Sequence, residues 1–425
     1  MLRFLAKGGI KMNVGKVIKL RINPTREQSQ QLYDTMVEYA RVCNEVSQWV
    51  FDNNFTFSHK QLNDTLYRHF RETSCLSAHM VQNTFRTVCA RYKTVQTQLK
   101  KQPIMYKQSD KLKLLKDTNN HIVHKDIDWL QKPIQFTTPQ CDMVRTTEYS
   151  FVTGSQEVSL NTIAGRIKVP YSLCSHFVSV FQNWKLGTAK LIYKHNKWYL
   201  HISATQEIED YSVSVTQNIV GIDRGLRFLM VTYDGTNSYF VNGKDIIAKR
   251  RHYRTLRQQL QSKNTKSSRR RLRAIGQREN SWMTDINHKL SKTLCDHYGP
   301  NTLFVLEDLE GITFDDKSLC CNKDNRANKT SWAHYQLQTF LEYKANLIGS
   351  AVITVNPQYT SQRCPVCGKV DKGQRDHGNH EYRCSCGYRS NDDRVGAMNI
   401  RELGLKYVTG QRNPKFVKQQ VSYLV

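Results

Sequence analysis

A chain of 425 residues with 39% hydrophobic and 10% aromatic side chains is long enough for two or three domains with real cores, and too aromatic to stay disordered. Its 63 Lys+Arg against 36 Asp+Glu leave a formal charge of +27. Such a field draws polyanions, and nucleic acid ranks above a membrane surface because no basic amphipathic helix stands out.

The opening residues, MLRFLAKGGIKMNVGK, hold too short an apolar run for a secretory signal or a membrane span, and Met12 is a candidate start. VGKVIKLRI (residues 14–22) alternates apolar and basic side chains and reads as a half-buried strand. Thr25 with Gln28 three residues on forms a capping-box signature. Leu32, Met36, Tyr39, Cys43, Val46 and Val50 then recur at steps of three and four, one apolar helical face. More helix is expected through SAHMVQNTFRTVCARYKTVQTQLKK, so residues 26–125 read as a helical insertion between strands. From 150 to 205 the pattern turns to short strands, with TAKLIYKHNKWYLHISA a hairpin around His195-Asn196 and a small β-barrel expected with the first strand. After residue 216, QNIVGIDRGLRFLMVTYDG, NTLFVLEDLEGI and SAVITVNP supply apolar strands, with the helix-like SWAHYQLQTFLEYKANLIG between the last two. Strands alternating with helices imply an α/β domain. Cys43, Cys75, Cys89, Cys141, Cys174 and Cys295 are scattered singly through apolar segments, the pattern of reduced cysteines in a cytoplasmic protein.

From Lys249 to Arg278 there are 12 Lys or Arg and no acid. A solvated helix face normally mixes both signs, whereas a run of one sign repels itself until a polyanion neutralises it. Arg250, Arg251, Arg254, Arg257, Arg269, Arg270, Arg271 and Arg273 are the expected backbone contacts.

Asp223 and Glu307 each end an apolar strand. A carboxylate there projects from a rigid sheet into a crevice, a suitable place to hold a metal. A single such acid is only an exposed strand end, but two at matching places carry more weight. Asp308 competes with Glu307, and alternation along the strand leaves that choice open. Cys364-x-x-Cys367 and Cys384-x-Cys386 approximate a zinc ribbon of four thiolates, with His377 and His380 as substitute ligands. The second pair is one residue short of the usual spacing. Cys320-Cys321 are adjacent and read as incidental. Asp392 and Asp393 then open an apparent helix, where Asp392 alone is explained as a cap.

The ordered set GIDRG, LEDLEGI, YTSQRCPVCG and DDRVGAMNI resembles the RuvC-like nuclease region of the TnpB family, insertion-sequence proteins related to compact type V CRISPR effectors. The resemblance extends to KVIKLRINPTREQ and NWKLGTAKLIYKHNKWYLHI. It implies a multidomain α+β fold: a β-barrel wedge domain from residues 1–25 and 126–212 carrying a helical recognition insertion at 26–125, then a RuvC/RNase H-like domain at 213–362. A zinc ribbon at 363–388 follows, and then a C-terminal RuvC-like part with a basic tail at 389–425. It also implies why a zinc knuckle runs straight into two aspartates: the family inserts its ribbon just before the last catalytic acid. Asp223, Glu307 and Asp393 are then the expected catalytic carboxylates, with Asp393 chosen by aligning Met398-Asn399-Ile400 with the family's usual ending. That ending normally carries an Asn where this chain has Val395.

Three carboxylates in one crevice repel each other and need cations to stay ionised together, and Mg²⁺, as two ions, suits such oxygen ligands. The expectation is an RNA-guided DNA endonuclease of a mobile element, Mg²⁺-dependent and zinc-stabilised, with guide RNA and double-stranded target DNA as partners. It is expected to be a monomer in the cytoplasm at the nucleoid, with no membrane partner. Its rivals are a cleavage-inactive RNA-guided repressor, a zinc-ribbon nucleic-acid-binding protein that needs no acids, and a guide-independent nuclease that does not need the first half of the chain.

Overall fold

Alternation makes β1 (Lys11–Ile22) one-sided, with Ile18, Leu20 and Ile22 inward. The computed structural model, which describes residues 11–100, 132–225, 227–309, 334–376 and 378–417, starts this strand three residues before the expected Val14. Thr25 caps α1 (Arg26–Asp52) through the complete capping box with Gln28. The six apolar residues read from the sequence all lie on its buried face. The helices α2 (His59–Thr73) and α3 (Ala78–Lys100) follow; residues 101–125 of the expected insertion lie outside the described residues. Hydroxyl pairs tie α1 to α3, Tyr39 with Thr87 at 2.9 Å and Ser47 with Tyr92 at 3.0 Å.

The chain divides into two compact units, Gly15–Gln206 and the remainder, Met1–Val14 with Glu207–Val425. In the first, β1 joins β2 (Cys141–Met143), β3 (Tyr149–Phe151), β4 (Glu157–Thr162), β5 (Gly165–Ser172), β6 (Lys185–Lys194) and β7 (Lys197–Glu209), with the short α4 (Val178–Asn183) before β6. The order is β2-β6-β7-β1-β5-β4-β3. Its two outer strands, β2 and β3, are consecutive in the chain and meet through a bridge between Arg145 and Tyr149, so the sheet curls into a nearly closed barrel. His195 and Asn196 make the β6–β7 turn at φ 52° and 57°, the left-handed pair a tight hairpin requires. Inward residues of the barrel and the inner faces of α1 and α3 share one core.

The second unit is built on the sheet β10-β9-β8-β11-β12: β8 (Asn218–Asp223), β9 (Phe228–Tyr233), β10 (Ser238–Asn242), β11 (Thr302–Glu307) and β12 (Ala351–Val355). The first three strands run antiparallel and β8, β11 and β12 run parallel. Two helices, α6 (Lys266–Tyr298) and α7 (His334–Leu347), cover one face through Leu294, Cys295, Leu341 and Ala345. On the other face, α8 (Asp392–Val408) packs Ile400 and Leu403 against Ile219, Leu303 and Val305. That helix sits unusually close: a Cβ on Gly221 would lie 2.1 Å from the Ala397 carbonyl oxygen. A Cβ on Gly404 would meet a Val305 methyl at 2.5 Å.

The basic stretch is a pair of helices, α5 (Lys244–Lys263) and α6, joined at Asn264 with φ 47° and restarted by a Thr265–Ser268 capping box. Among the described residues no helix is long and apolar enough to cross a membrane.

Candidate active site and metal centre

The register pairs Leu306 with Ile222 on parallel strands, so Asp223 and Glu307 come next at neighbouring strand ends, where backbones lie about 4.8 Å apart. Alternation then sets their side. Phe304 and Leu306 face α6 and α7, whereas Leu303 and Val305 face α8, so Glu307 falls on the α8 side. Asp308, the competitor, is exposed, and its N–H donates to Val355 O at 2.8 Å. Gly396 in the first turns of α8 lies against the Asp223 carboxylate, at 2.6 Å from Oδ2 for a would-be Cβ.

Of the three acids read from the sequence, Asp223 feels the other two. Burial pushes the Asp223 carboxyl well up, and the charges of Glu307 and then Asp393 push it further. Burial also raises Glu307, opposed by a hydrogen bond donated by the Thr360 hydroxyl and by Arg224 and Arg375. Asp393 is raised by burial and by Asp392, against the pull of Arg375, His380 and Arg227. A carboxyl pushed up by burial and by two neighbouring acids marks a site with unmet demand for positive charge.

Asp392 is not the cap expected of it. Asn391 caps α8, accepting from the N–H groups of Asp393 and Arg394 at 3.1 Å each. Asp392 stands one position on, fully buried, and accepts from Arg375 Nε at 2.8 Å. Arg375 also approaches Asp393 at 3.5 Å. A cap would sit in water; this acid is enclosed because the ribbon strand bearing Arg375 lies over it.

That strand, β13 (Arg375–Asp376), forms a small antiparallel sheet with β14 (Glu381–Arg383) and β15 (Arg389–Asn391). The four cysteines offer sulfurs within 4.8 Å of one another, with Cys364 to Cys386 at 3.7 Å and Cys367 to Cys384 at 3.5 Å. A disulfide needs about 2.05 Å, so these are not bonded pairs. Tetrahedral thiolates on zinc, at about 2.3 Å from the metal, stand about 3.8 Å apart, so the spacing fits a metal at the centre. Gln374 donates to Cys384 Sγ at 3.2 Å and accepts from the Tyr382 hydroxyl, the kind of outer support metal sites use. The shorter second pair is therefore no obstacle. His380, the substitute ligand, belongs elsewhere: its Nδ1 is 3.7 Å from Asp392 Oδ1, in a second cluster with Asp393. His377 and Cys320-Cys321 lie outside the described residues.

Sequence reasoning missed the clamp between ribbon and helix. Buried Asn399 donates to the carbonyls of Thr360 at 2.7 Å and Arg363 at 2.8 Å, and Val395 joins Cys364, Tyr382 and Cys384 in one apolar cluster. Arg224 is also buried and donates to the Glu307 carbonyl. No spacing signal marks Arg375, Thr360 or Arg224; they matter by what folds against them. Of the expected backbone contacts, Arg251, Arg269, Arg270, Arg271 and Arg273 are exposed and Arg254 is half-buried. Arg250 and Arg257 instead converge on buried Glu279, the acid just past the run.

Residues 203–310 match the family model described as "Probable transposase", and residues 334–400 match the "Cas12f1-like, TNB domain" model. A CRISPR-associated endodeoxyribonuclease Cas12f1 of Sulfoacidibacillus thermotolerans is 29% identical over 51% of this chain and 53% of that protein. One of the same name from Syntrophomonas palmitatica is 24% identical over 70% of this chain and 59% of that protein. A TnpB-like protein of Methanocaldococcus jannaschii is 40% identical over 23% of this chain and 36% of its own length. The chain thus spans between half and three-fifths of the two Cas12f1 relatives. Among solved structures, the mini-RNA-guided endonuclease CRISPR-Cas_phi3 aligns with TM-score 0.48 and 12% identity, over 95% of this chain and 93% of that one. The resemblance read from the four motifs holds: this chain is related to the TnpB-like and Cas12f1 proteins, and its matched domains lie in residues 203–400.

Proposed function

We propose that this protein is an RNA-guided DNA endonuclease of a transposable element, with Asp223, Glu307 and Asp393 as its catalytic carboxylates. The observation that carries the reading is that Asp223 and Glu307 end neighbouring parallel strands on the side covered by α8, whose first turn carries Asp393 and whose Gly396 lies against the Asp223 carboxylate. The α/β unit with acids at its strand ends supports the RuvC/RNase H-like assignment. The named relatives include endodeoxyribonucleases, which supports DNA as substrate. Net charge and the exposed arginines of α5 and α6 support a permanent polyanionic partner, a guide RNA, with double-stranded DNA as the target. The barrel and its helices then serve as the wedge and recognition domains.

The donor set fits Mg²⁺, an oxygen-seeking cation that would relieve the mutual repulsion of the three carboxylates. Bound there, two such ions supply water activation and charge stabilisation for phosphodiester hydrolysis. The chain's own residues set the stage. Thr360 and the backbone contact of Arg224 fix Glu307. Gly396 lets α8 come down on Asp223. Asp393 rather than Asp392 is the third acid, because Asp392 is engaged by Arg375 while Asp393 presses on Asp223 more strongly. The ribbon metal is read as zinc, and its part is to hold Arg375 and the start of α8 in place.

The test is purification from the native locus, sequencing of bound RNA, and cleavage of a DNA duplex matched to that RNA. Altering the guide portion should redirect Mg²⁺-dependent cutting, and Asp223→Ala, Glu307→Ala or Asp393→Ala should abolish it while binding persists. Cutting that ignores the guide would overturn the reading in favour of a guide-independent nuclease; guided binding without cutting would favour a repressor.

A further inference from the structure

Asp392, Asp393 and Arg394 follow one another in the first turn of α8, and each is engaged by a different part of the unit. Asp392 is held by Arg375 of the ribbon at 2.8 Å. Asp393 is the acid that presses on Asp223. Arg394 reaches instead to the outer hairpin of the sheet, where its Nε donates to Ser238 Oγ at 2.9 Å. Its guanidinium carbon also stands 5.8 Å from the centre of the Tyr233 ring. A cation in the first turn of a helix opposes the helix dipole, so the dipole does not account for an arginine here.

The spacing of the three residues gives the contact a consequence. At 3.6 residues per turn, successive side chains leave the axis about 100° apart, so Asp392 and Arg394 hold nearly opposite flanks with Asp393 between them. A helix pinned on one flank can still roll about its axis; pinned on both, it cannot. The close approach of Gly221 to Ala397 sets how near α8 lies to the sheet, and the two flanking anchors set its rotation. The sheet anchor is in register with Asp223. Ser238 pairs with Tyr233 on β9, Tyr233 pairs with Gly221 on β8, and Asp223 lies two residues further along β8.

We propose that Arg394 is a positioning residue, which through Ser238 holds the first turn of α8 in the rotation that keeps the Asp393 carboxylate against Asp223. The proposal rests on the reading of Asp393 as the third carboxylate and adds what keeps it in place. Arg394 acts on the site only through Asp393. Arg375 guards the ribbon flank and Arg394 the sheet flank, so neither replaces the other.

The experiment uses the full, zinc-loaded chain and reads metal binding apart from activity. Binding of Mn²⁺ is followed by electron paramagnetic resonance without nucleic acid, with Asp393→Ala setting the scale of a lost ligand. Arg394→Ala and Ser238→Ala should each weaken it roughly 10- to 100-fold, the loss that follows removal of an outer support from a metal ligand. The double variant should be no weaker than either single one, because both remove the same contact. Arg394→Lys keeps a donor and Ser238→Thr keeps the acceptor, so each should recover most of the affinity. In single-turnover cleavage of a guided duplex, the rate at saturation should fall roughly 100-fold, as for a displacement of about 1 Å. Duplex affinity without metal should stay at the wild-type value. Wild-type Mn²⁺ binding in Arg394→Ala and Ser238→Ala would overturn the proposal, whatever their unfolding midpoints. So would losses that add in the double variant, or a fall in duplex affinity with Arg394→Ala alone, which would make Arg394 a phosphate contact. Ser238 is half-buried on an outer strand, so its variant tests the contact even if Arg394→Ala folds poorly. The two readings fail separately. If the wild type makes no guided cut but the variants still lose Mn²⁺, the nuclease reading falls and Arg394 keeps its part. Guided cutting with unchanged Mn²⁺ binding in the variants leaves the nuclease and removes Arg394 from the site.

Discussion

Gly221→Ala should damage both stability and cutting, because Gly221 is where the strand bearing Asp223 meets the helix bearing Asp393. An added Cβ would lie 2.1 Å from Ala397 O and 2.5 Å from Arg401 N. Ordinary contact begins at 3.4 Å, so the first gap is short by about 1.3 Å. Both obstacles are backbone atoms, and no rotamer change relieves them. The helix must lift, which unseats Ile400 and Leu403 from Ile219 and Val305. Overpacking of this kind costs about 1–3 kcal/mol and occasionally more, and backbone obstruction puts this case at about 3 kcal/mol. A misplacement of about 1 Å can also lower activity roughly 100-fold, so guided cutting should fall at least that far in the fraction that remains folded. The assay is urea unfolding alongside single-turnover cleavage. Gly276→Ala is the control: it lies inside α6 with nothing within 4 Å of the added methyl, and should stabilise by up to about 1 kcal/mol. A Gly221→Ala protein with the wild-type urea midpoint would refute the close-packing argument.

The raised carboxyls of Asp223, Glu307 and Asp393 favour the protonated form in the folded state, so their contribution is full below the ordinary carboxylate pKa and lost as pH rises through the raised values. Without divalent cation, thermal stability should therefore fall across that window; Asp223→Asn should flatten the fall and Mg²⁺ should reverse it, whereas a wild type indifferent to Mg²⁺ at neutral pH would count against the site. Arg375→Gln leaves fully buried Asp392 without its guanidinium and should cost about 3–5 kcal/mol, read by chemical unfolding. Metal analysis should find about one Zn per chain, and Cys384→Ser should lose it; full zinc in that variant would mean a ligand other than the four thiolates. Replacing Arg269, Arg270, Arg271 and Arg273 with Gln should lower the salt slope of nucleic-acid binding by about 0.7–0.9 per phosphate released, whereas Glu279→Gln should act on stability by stranding Arg250 and Arg257.

Local physics made much of this protein legible in one dimension. The alternation of β1, the capping box of α1 and the left-handed turn at His195-Asn196 each depend on neighbours in sequence, and each is found where the pattern put it. The cysteine pairs announced themselves because a chelating loop must be short. Other features depend on what packs across from them. Which of Glu307 and Asp308 lies on the α8 side waited for the fold, since alternation fixes which residues share a face but not which face the helix covers. Asp392 read as a cap until the ribbon closed over it, and the pairing of Arg250 and Arg257 with Glu279 arises only once two helices fold back on each other. In each case the sequence supplied the charge, but burial and partner come from residues far along the chain. Only the tertiary structure brings those residues within the few ångströms over which desolvation and ion pairing act.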